Sequence, residues 1–461
     1  MEARPLTCDL NKVWDEFCRT SPDAWFWHTT DWLAYNNAYH RGLRPRPLNF
    51  LCYRESKVVA IIPLVLTHHE EGAYHWKAFT MSGLPLPAPA LAAGLSPTER
   101  DDVIDFIFAA IDDIAEELGV SYSRFQIDPL RPAALNARYA PYNFMLRNGF
   151  IDCSINTQII DLRLPRTELR HGLRRNHLRS IEKGREIFQT HIHAGSSLTN
   201  EKFEEYARMH ARAAGRITRP QATFDLMRKW IQSGQGFVVE ALTKEGVPAG
   251  FELYLTHKGA CYGLSACNEP EYKHLPIRHL IEWEAMLWMR SHGIEFYDIG
   301  AQHFGTLPHD FPEKKNQDIS HFKYGFGGAT APFFLAERFY SAEHWRYEQA
   351  SRSKRFEARY LWTTTPRSAD GRTLLELLDR PQKPATEPQQ TKYVSLPPEY
   401  LRLAEAVVAE HPKNAKQCLE GNLKALHFLV GLVLRGPGKG KDPLLLRRAI
   451  EGALAPQGAR R

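Results

Sequence analysis

No stretch of this sequence is long and apolar enough to cross a membrane. The two most apolar runs, 58–66 and 426–434, are nine residues each, where a spanning helix needs about 20. No integral membrane segment is therefore expected. The opening MEARPLTCDLNKVW lacks the apolar segment of a secretory signal. Cysteine is sparse: seven residues, an odd number, with no CxxC and no clustered histidine partner. That argues against a disulfide framework or a zinc site, and for reduced thiols in a cytoplasmic protein. His68–His69 and the pair His191 and His193 lack carboxylate or thiol partners at ligand spacing and read as surface residues. Neither a metal nor a resident cofactor is expected.

An excess of either charge is lacking over most of the chain. The net charge is +6, yet between Lys392 and Arg461 twelve Lys/Arg face six Asp/Glu. The remainder is close to neutral. A basic tail on a neutral body suggests a polyanion held by the tail; a merely soluble surface is the alternative.

A length of 461 residues suggests roughly three domains. Two stretches resemble each other: NFLCYRESKVVAIIPLVL from Asn49 and GFVVEALTKEGVPAGFELYL from Gly236. Each reads as strand, charged turn, strand, rich in β-branched and aromatic residues. Each is followed by an amphipathic helix, the first closed by Gly119, the second opened by Pro276 and closed by Gly293. A repeat spaced this widely implies a duplicated α/β domain and not a solenoid. The expected organisation is one domain over 1–150, a second over 151–345, a helix and Pro-rich linker over 346–398, and a helical domain over 399–461. The linker reading rests on DRPQKPATEPQQTKYVSLPP, whose prolines block regular structure. The tail reads as three helices: PPEYLRLAEAVVAEHP, KNAKQCLEGNLKALHFLVGLVLR and PLLLRRAIEGALA.

In the second domain LRRNHLRSIEKGREI, GFELYLTHKGACYGLSACNEPEYKHLPIRHLIEWEAM, GIEFYDIGA and ISHFKYGFGGATAPFF are similar to the Fem family. Its members have two GNAT-type acyltransferase folds in tandem and move amino acids from aminoacyl-tRNA onto an amine. The resemblance covers most of residues 20 to 340, strongly in the second half and loosely in the first. It implies an α/β fold of two tandem GNAT-like domains, with aminoacyl-tRNA as co-substrate. It also puts on Lys323, beside Phe322, the role of stabilising the tetrahedral oxyanion. A fixed cation in a dry site supplies that stabilisation well. Gly325, Gly327 and Gly328 would let backbone pass close to a ligand. A strand and turn with a snorkelling lysine is the plainer reading of the same residues. No His or Asp stands out as a general base, so the ribose hydroxyl of the tRNA end is left to carry the proton.

Acyl-CoA is the commoner donor for this fold, held on glycine-rich backbone at a helix N-terminus. The corresponding loop, SACNEPEYKHLPIRHL, has no glycine, and SGLPLPAPALAAG in the first domain offers prolines where N–H donors are wanted. In RTELRHGLRRNHLRSIEKGREI, Arg170 and Arg174, Arg175 and Arg179, and Arg179 and Lys183 are spaced i,i+4 on one expected helix. Positive charge so covers more than one helix face, a surface that can hold phosphates or pair with Glu168, Glu182 and Glu186. Tyr262 and Arg278 flank the expected cleft as acceptor-side candidates. Where compact members of the family carry a basic residue for an acceptor's phosphate, this chain has Asn36 and Asn37, which argues against a nucleotide-linked cell-wall precursor.

The tail, HPKNAKQCLEGNLKALHFLVGLVLRGPGKGKDPLLLRRAIEGAL, resembles the GatB/YqeY module of tRNA-dependent amidotransferases, which contacts the tRNA body. The resemblance implies a tRNA-binding role, with Lys413, Lys416, Lys424, Arg435, Lys439 and Lys441 offering cations to phosphates. The implied partners are aminoacylated tRNA, an amine-bearing acceptor (a peptide, a cell-wall precursor or a small metabolite) and an aminoacyl-tRNA synthetase. Two other functions stay open: an acyl-CoA N-acyltransferase with an RNA-interacting tail, and a non-catalytic tRNA-binding adaptor.

Overall fold

The computed structural model describes residues 1–136, 142–305, 307–360, 396–420 and 422–454. The expected Pro-rich linker lies, but for its last three residues, outside them. The chain divides into two compact units, 1–361 and 362–461.

The first unit is a mixed α/β body built on a long twisted sheet. In spatial order its strands are Phe188–Ala194, Gly236–Thr243, Pro248–His257, Ala260–Asn268, Phe296–Asp298, Ile155–Asp161, Ala329–Phe339, Tyr122–Ile127, Tyr74–Phe79, Val65–Glu71 and Arg46–Pro47. Along this path neighbours pair antiparallel except in two places. Ala260–Asn268 runs parallel to Phe296–Asp298, and Tyr74–Phe79 runs parallel to Tyr122–Ile127. A parallel pair needs a crossover, and each has a helix in it: Ile277–Ser291 in the second half, Pro97–Leu118 in the first. The same strand–helix–strand unit thus occurs twice, as the internal repeat implied. Its capping was legible: Ser96 and Glu99 form a capping box, and Gly119 closes the helix at φ 64°.

The two halves are interlocked. Strand Ala329–Phe339 pairs at its start with Ile155–Ile159 and further along with Tyr122–Ile127, so a strand from the end of the second half completes the sheet of the first. One hydrophobic core belongs to the first half, around Ile61, Ile107 and Phe125. A second surrounds Tyr254, Trp283 and Met286. A third is shared, with Trp25, Phe26 and Trp27 packed against Trp230, Phe251 and Leu253. Lys258 donates to the carbonyls of Ser21 (2.6 Å) and Ala24 (2.9 Å), tying the halves further.

Two helical expectations are corrected. The basic stretch expected as one helix is two, Arg166–Gly172 and Arg175–Ile187, because Leu173 turns into the core and the Arg174 N–H bonds to the Gly325 carbonyl at 2.8 Å. Arg170 and Arg174 therefore share no helix face. In the second unit the middle helix is likewise two, Pro412–Leu419 and Leu423–Arg435, because the Asn422 side chain caps the latter through Lys424 N and Ala425 N. With Pro398–Glu410 and Pro443–Leu454 they enclose a core of Ala404, Leu429, Leu446 and Ile450. The GPGKGKDP segment folds onto the bundle: Gly438 N–H reaches the Val433 carbonyl at 2.8 Å, and Asp442 caps the last helix through Leu444 N at 2.7 Å.

Candidate active site

Ala260–Asn268 and Phe296–Asp298 are paired only from Ala260 to Tyr262. Beyond, a register shift opposite Leu253 and Tyr254 leaves Leu264 without a partner, and the two strands diverge. The gap opens into a cavity of about 750 Å³, lined by Gly263–Ala266, Ile299 and, across it, Lys315, Ile319, Phe322 and Lys323 of helix Lys314–Tyr324. Glu252, Arg278 and Glu282 close its floor.

Lys323 sits in this cavity. Among the described residues its ammonium has neither a hydrogen bond nor an ion pair. Burial lowers its pKa, opposed by Asp298, Glu282 and Glu252. The ammonium lies against Gly300, whose φ is +109°; a Cβ built there would collide with Lys323 Nζ. Gly300→Ala is expected to displace the ammonium and lower turnover by about 100-fold without loss of fold, checked by steady-state kinetics beside a thermal melt. Phe322 packs on His177, His279 and Phe326 and so fixes the helix end that carries Lys323.

Three carboxylates that sequence reasoning passed over act on Lys323, Asp298 among them, although no His or Asp stands out in the sequence as a general base. Asp298 accepts from Thr157 Oγ1 (2.5 Å) and the Gly300 N–H (2.7 Å). Burial pushes it up to about 6, against those two bonds and Lys323. Glu252 and Glu282 share Arg278, which donates to both. Tyr254 donates to Glu252 (2.6 Å) and Tyr297 to Glu282 (2.7 Å). Burial, then repulsion from Glu252, pushes the Glu282 carboxyl well above the usual carboxylate range. The signals were present: an acid inside the apolar run GFELYL, the i,i+4 pair Arg278 and Glu282 on the buried helix face, and an Asp that ends a strand just before Ile-Gly.

Other expected site residues are placed differently. The Arg278 guanidinium is committed to the two glutamates and is not free to bind an acceptor. Tyr262 lines a separate, smaller cavity. Gly327 and Gly328 (φ +80° and +87°) lie outside the cavity lining and serve packing: a Cβ on the first would meet the Gly172 carbonyl at 2.9 Å, on the second the Ile159 carbonyl at 2.5 Å. Arg174, Arg175 and Arg179 are exposed and form no ion pair among the described residues, Arg174 lying 5.7 Å over the Tyr324 ring. Asn36 is buried and bonds to the Trp32 carbonyl at 2.9 Å. His193 is not a surface residue without partners: it meets Glu240 at 2.9 Å, itself paired with Lys202. His69 is half-buried, bonded to Thr67 and stacked on Trp76.

In the helical unit Lys413, Lys416, Lys424 and Lys439 are exposed, without ion pairs among the described residues. Arg435 bends back onto the Gly431 carbonyl at 3.1 Å, and Lys441 is drawn to Glu399 at 2.8 Å over the Tyr400 ring.

A duplicated strand–helix–strand unit with a cleft between diverging parallel strands defines the class: the body is a tandem GNAT-like α/β fold. Residues 167–314 match the family described as an acetyltransferase (GNAT) domain. The fold is similar to the crystal structure of FemX, with TM-score 0.53, 13% identity, and coverage of 76% of this chain and 100% of that one. Looser likenesses are the structure of L-PGS from Bacillus licheniformis (TM-score 0.43, 13% identity, 69% and 90% covered) and a tandem GNAT protein from the clavulanic acid biosynthesis pathway (TM-score 0.41, 13% identity, 73% and 98% covered). No curated protein matches the sequence significantly. Among the described residues no helix is long and apolar enough to cross a membrane.

Proposed function

We propose that this protein transfers an aminoacyl group from tRNA to an amine, forming an amide. The observation that carries the reading is Lys323, a buried ammonium without a partner among the described residues, where it can meet the negative charge that develops on an ester carbonyl. The larger cavity then takes the aminoacyl ester, and exposed Arg174, Arg175 and Arg179 take phosphates near the tRNA end. The Fem-like sequence motifs and the FemX-like fold support the donor class. The GatB/YqeY-like motifs of the tail, with exposed Lys413, Lys416, Lys424 and Lys439, support a second contact to the tRNA body. Such a contact adds affinity through effective concentration.

The second reading, an acyl-CoA donor, draws on the acetyltransferase description of the matched family. Backbone chemistry disfavours it. In the segment leading into helix Ile277–Ser291, the N–H groups of Glu269, Tyr272, Lys273, Leu275, Ile277 and Leu280 already bond to backbone carbonyls, and Pro270 and Pro276 have none. Gly184 presses on that first turn, 3.0 Å from Leu280 and 3.4 Å from the Pro276 carbonyl for an added Cβ. Among the described residues the N–H groups of Glu271, His274, Arg278 and His279 are left without a backbone partner, and none of them lies in the glycine-rich loop that cradles a pyrophosphate closely.

The test is recovery of RNA on the purified protein from lysate at low salt, with and without residues 392–461. The expected result is enrichment of one tRNA species by the full chain, lost on deletion and falling steeply with salt. Enrichment of no tRNA by either form, with saturable CoA binding, would favour the second reading.

A further inference from the structure

Beside the Lys323 cavity is a second, of about 190 Å³, about a quarter of the volume of the first. The two share Leu264. Trp27, Trp32, Leu84, Gln126 and Asp128 of the first half form one side, and Thr157, Tyr262, Asp298 and Phe333 the other. The two acids are nearly inaccessible, Asp128 at 6% and Asp298 at 4%. Asp128 is held by the Trp27 indole N–H and by the Leu130 N–H at 2.6 Å. Asp298 uses only Oδ1, toward Thr157 and Gly300; its Oδ2 accepts no hydrogen bond among the described residues. That oxygen is the one Asp298 leaves open to a donor in the cavity. Trp27, Trp32 and Tyr262 complete a wall of aromatic rings, with Trp27 4.4 Å from Trp32 and 5.3 Å from Tyr262, centroid to centroid. Aromatic faces beside carboxylates recognise cations, while an anion would be repelled.

We infer that this cavity is the acceptor subsite and takes a small aliphatic ammonium, free or at the end of a short side chain, with no phosphate near the amine. The inference rests on the acyl-transfer reading above and specifies its acceptor. Asp298 Oδ2 takes one proton from the incoming ammonium. The freed nitrogen lone pair attacks the ester carbonyl across Leu264, and the C–N bond forms while the carbonyl oxygen faces Lys323. Collapse breaks the C–O bond to the ribose, and a second nitrogen proton passes to the departing ribose oxygen. Ester and ammonium become amide and alcohol, and the proton on Asp298 returns to solvent. Asp298 is then a catalytic residue, and Asp128 holds the second face of the cation. The volume lies below the ordinary range for whole small-molecule sites, so the cavity admits an amine terminus and not the body of the molecule that carries it.

The test is calorimetric titration of the full-length protein, without tRNA, with putrescine, lysinamide and phosphoethanolamine. Putrescine or lysinamide is expected to bind saturably. Asp128→Asn should weaken that binding at least tenfold, as should Leu84→Trp, which fills the cavity mouth from an exposed position and spares the core. Lys323→Ala, which removes a cation that acts on Asp298, should not weaken it, and phosphoethanolamine should bind more weakly than either amine. Absence of saturable amine binding, equal binding by both cavity variants, or preference for phosphoethanolamine would overturn the assignment. Because no donor is present, failure here is distinct from failure of tRNA-dependent transfer: amine binding without transfer would sink the donor reading alone.

Discussion

Lys323→Ala is expected to lower kcat for acyl transfer by roughly 100- to 1000-fold, the loss that follows removal of one group aimed at a developing oxyanion. Affinity for tRNA should stay within about twofold, because the lysine reaches the reacting carbonyl and not the phosphates. Single-turnover transfer kinetics beside filter binding separate the two quantities. Full activity of the variant would remove the oxyanion role. A parallel collapse of tRNA affinity would make Lys323 a binding residue instead. Lys323→Arg should not rescue: its planar fork cannot occupy the pocket against Gly300 that a point charge fills.

Arg278→Met is expected to destabilise the first unit by about 3–5 kcal/mol, the cost of leaving a buried carboxylate without its cation. The guanidinium joins Glu252 and Glu282 beneath the cavity. Without it Glu252 and Glu282 face each other in a dry site. Adding Glu282→Gln should recover part of the loss, since one of the two acids is then neutral at any pH. Urea unfolding of the single and double variants at pH 7 measures this. A loss under about 1 kcal/mol would mean that water or relaxation replaces the guanidinium, and the trio would not be the rigid floor of the site.

Much of this architecture was legible in the chain. The two hairpins and the helices closed by Gly119 and Gly293 follow from local pattern, because turn residues and capping act over a few positions; Phe322 and Lys323 were singled out by resemblance alone, and the strand and turn that their local pattern suggested is a helix. What was not legible is long-range. Nothing local tells that Ala329–Phe339 would complete the sheet of the first half, or that Leu173 would break a strongly helical stretch by entering the core. Asn422 could have been read as a cap, yet it lay inside a continuous apolar period that concealed the break. The carboxylates were missed for a different reason. Glu252, Glu282 and Asp298 are far apart in sequence, and an acid in an apolar run looks like noise until its partners Arg278, Tyr297 and Thr157 are seen around it. Conversely Gly327 and Gly328 invited a ligand role that the structure gives to backbone packing.

The most direct test is to present the purified full-length protein with total tRNA charged with one labelled amino acid at a time, together with a pool of small amines, and to follow label into base-stable amide. The account predicts that one charged tRNA is discharged well above spontaneous hydrolysis, that the product is an amide of an unphosphorylated amine, and that Lys323→Ala abolishes it. Discharge of no aminoacyl-tRNA above background, with consumption of acetyl-CoA by the same preparation, would contradict it.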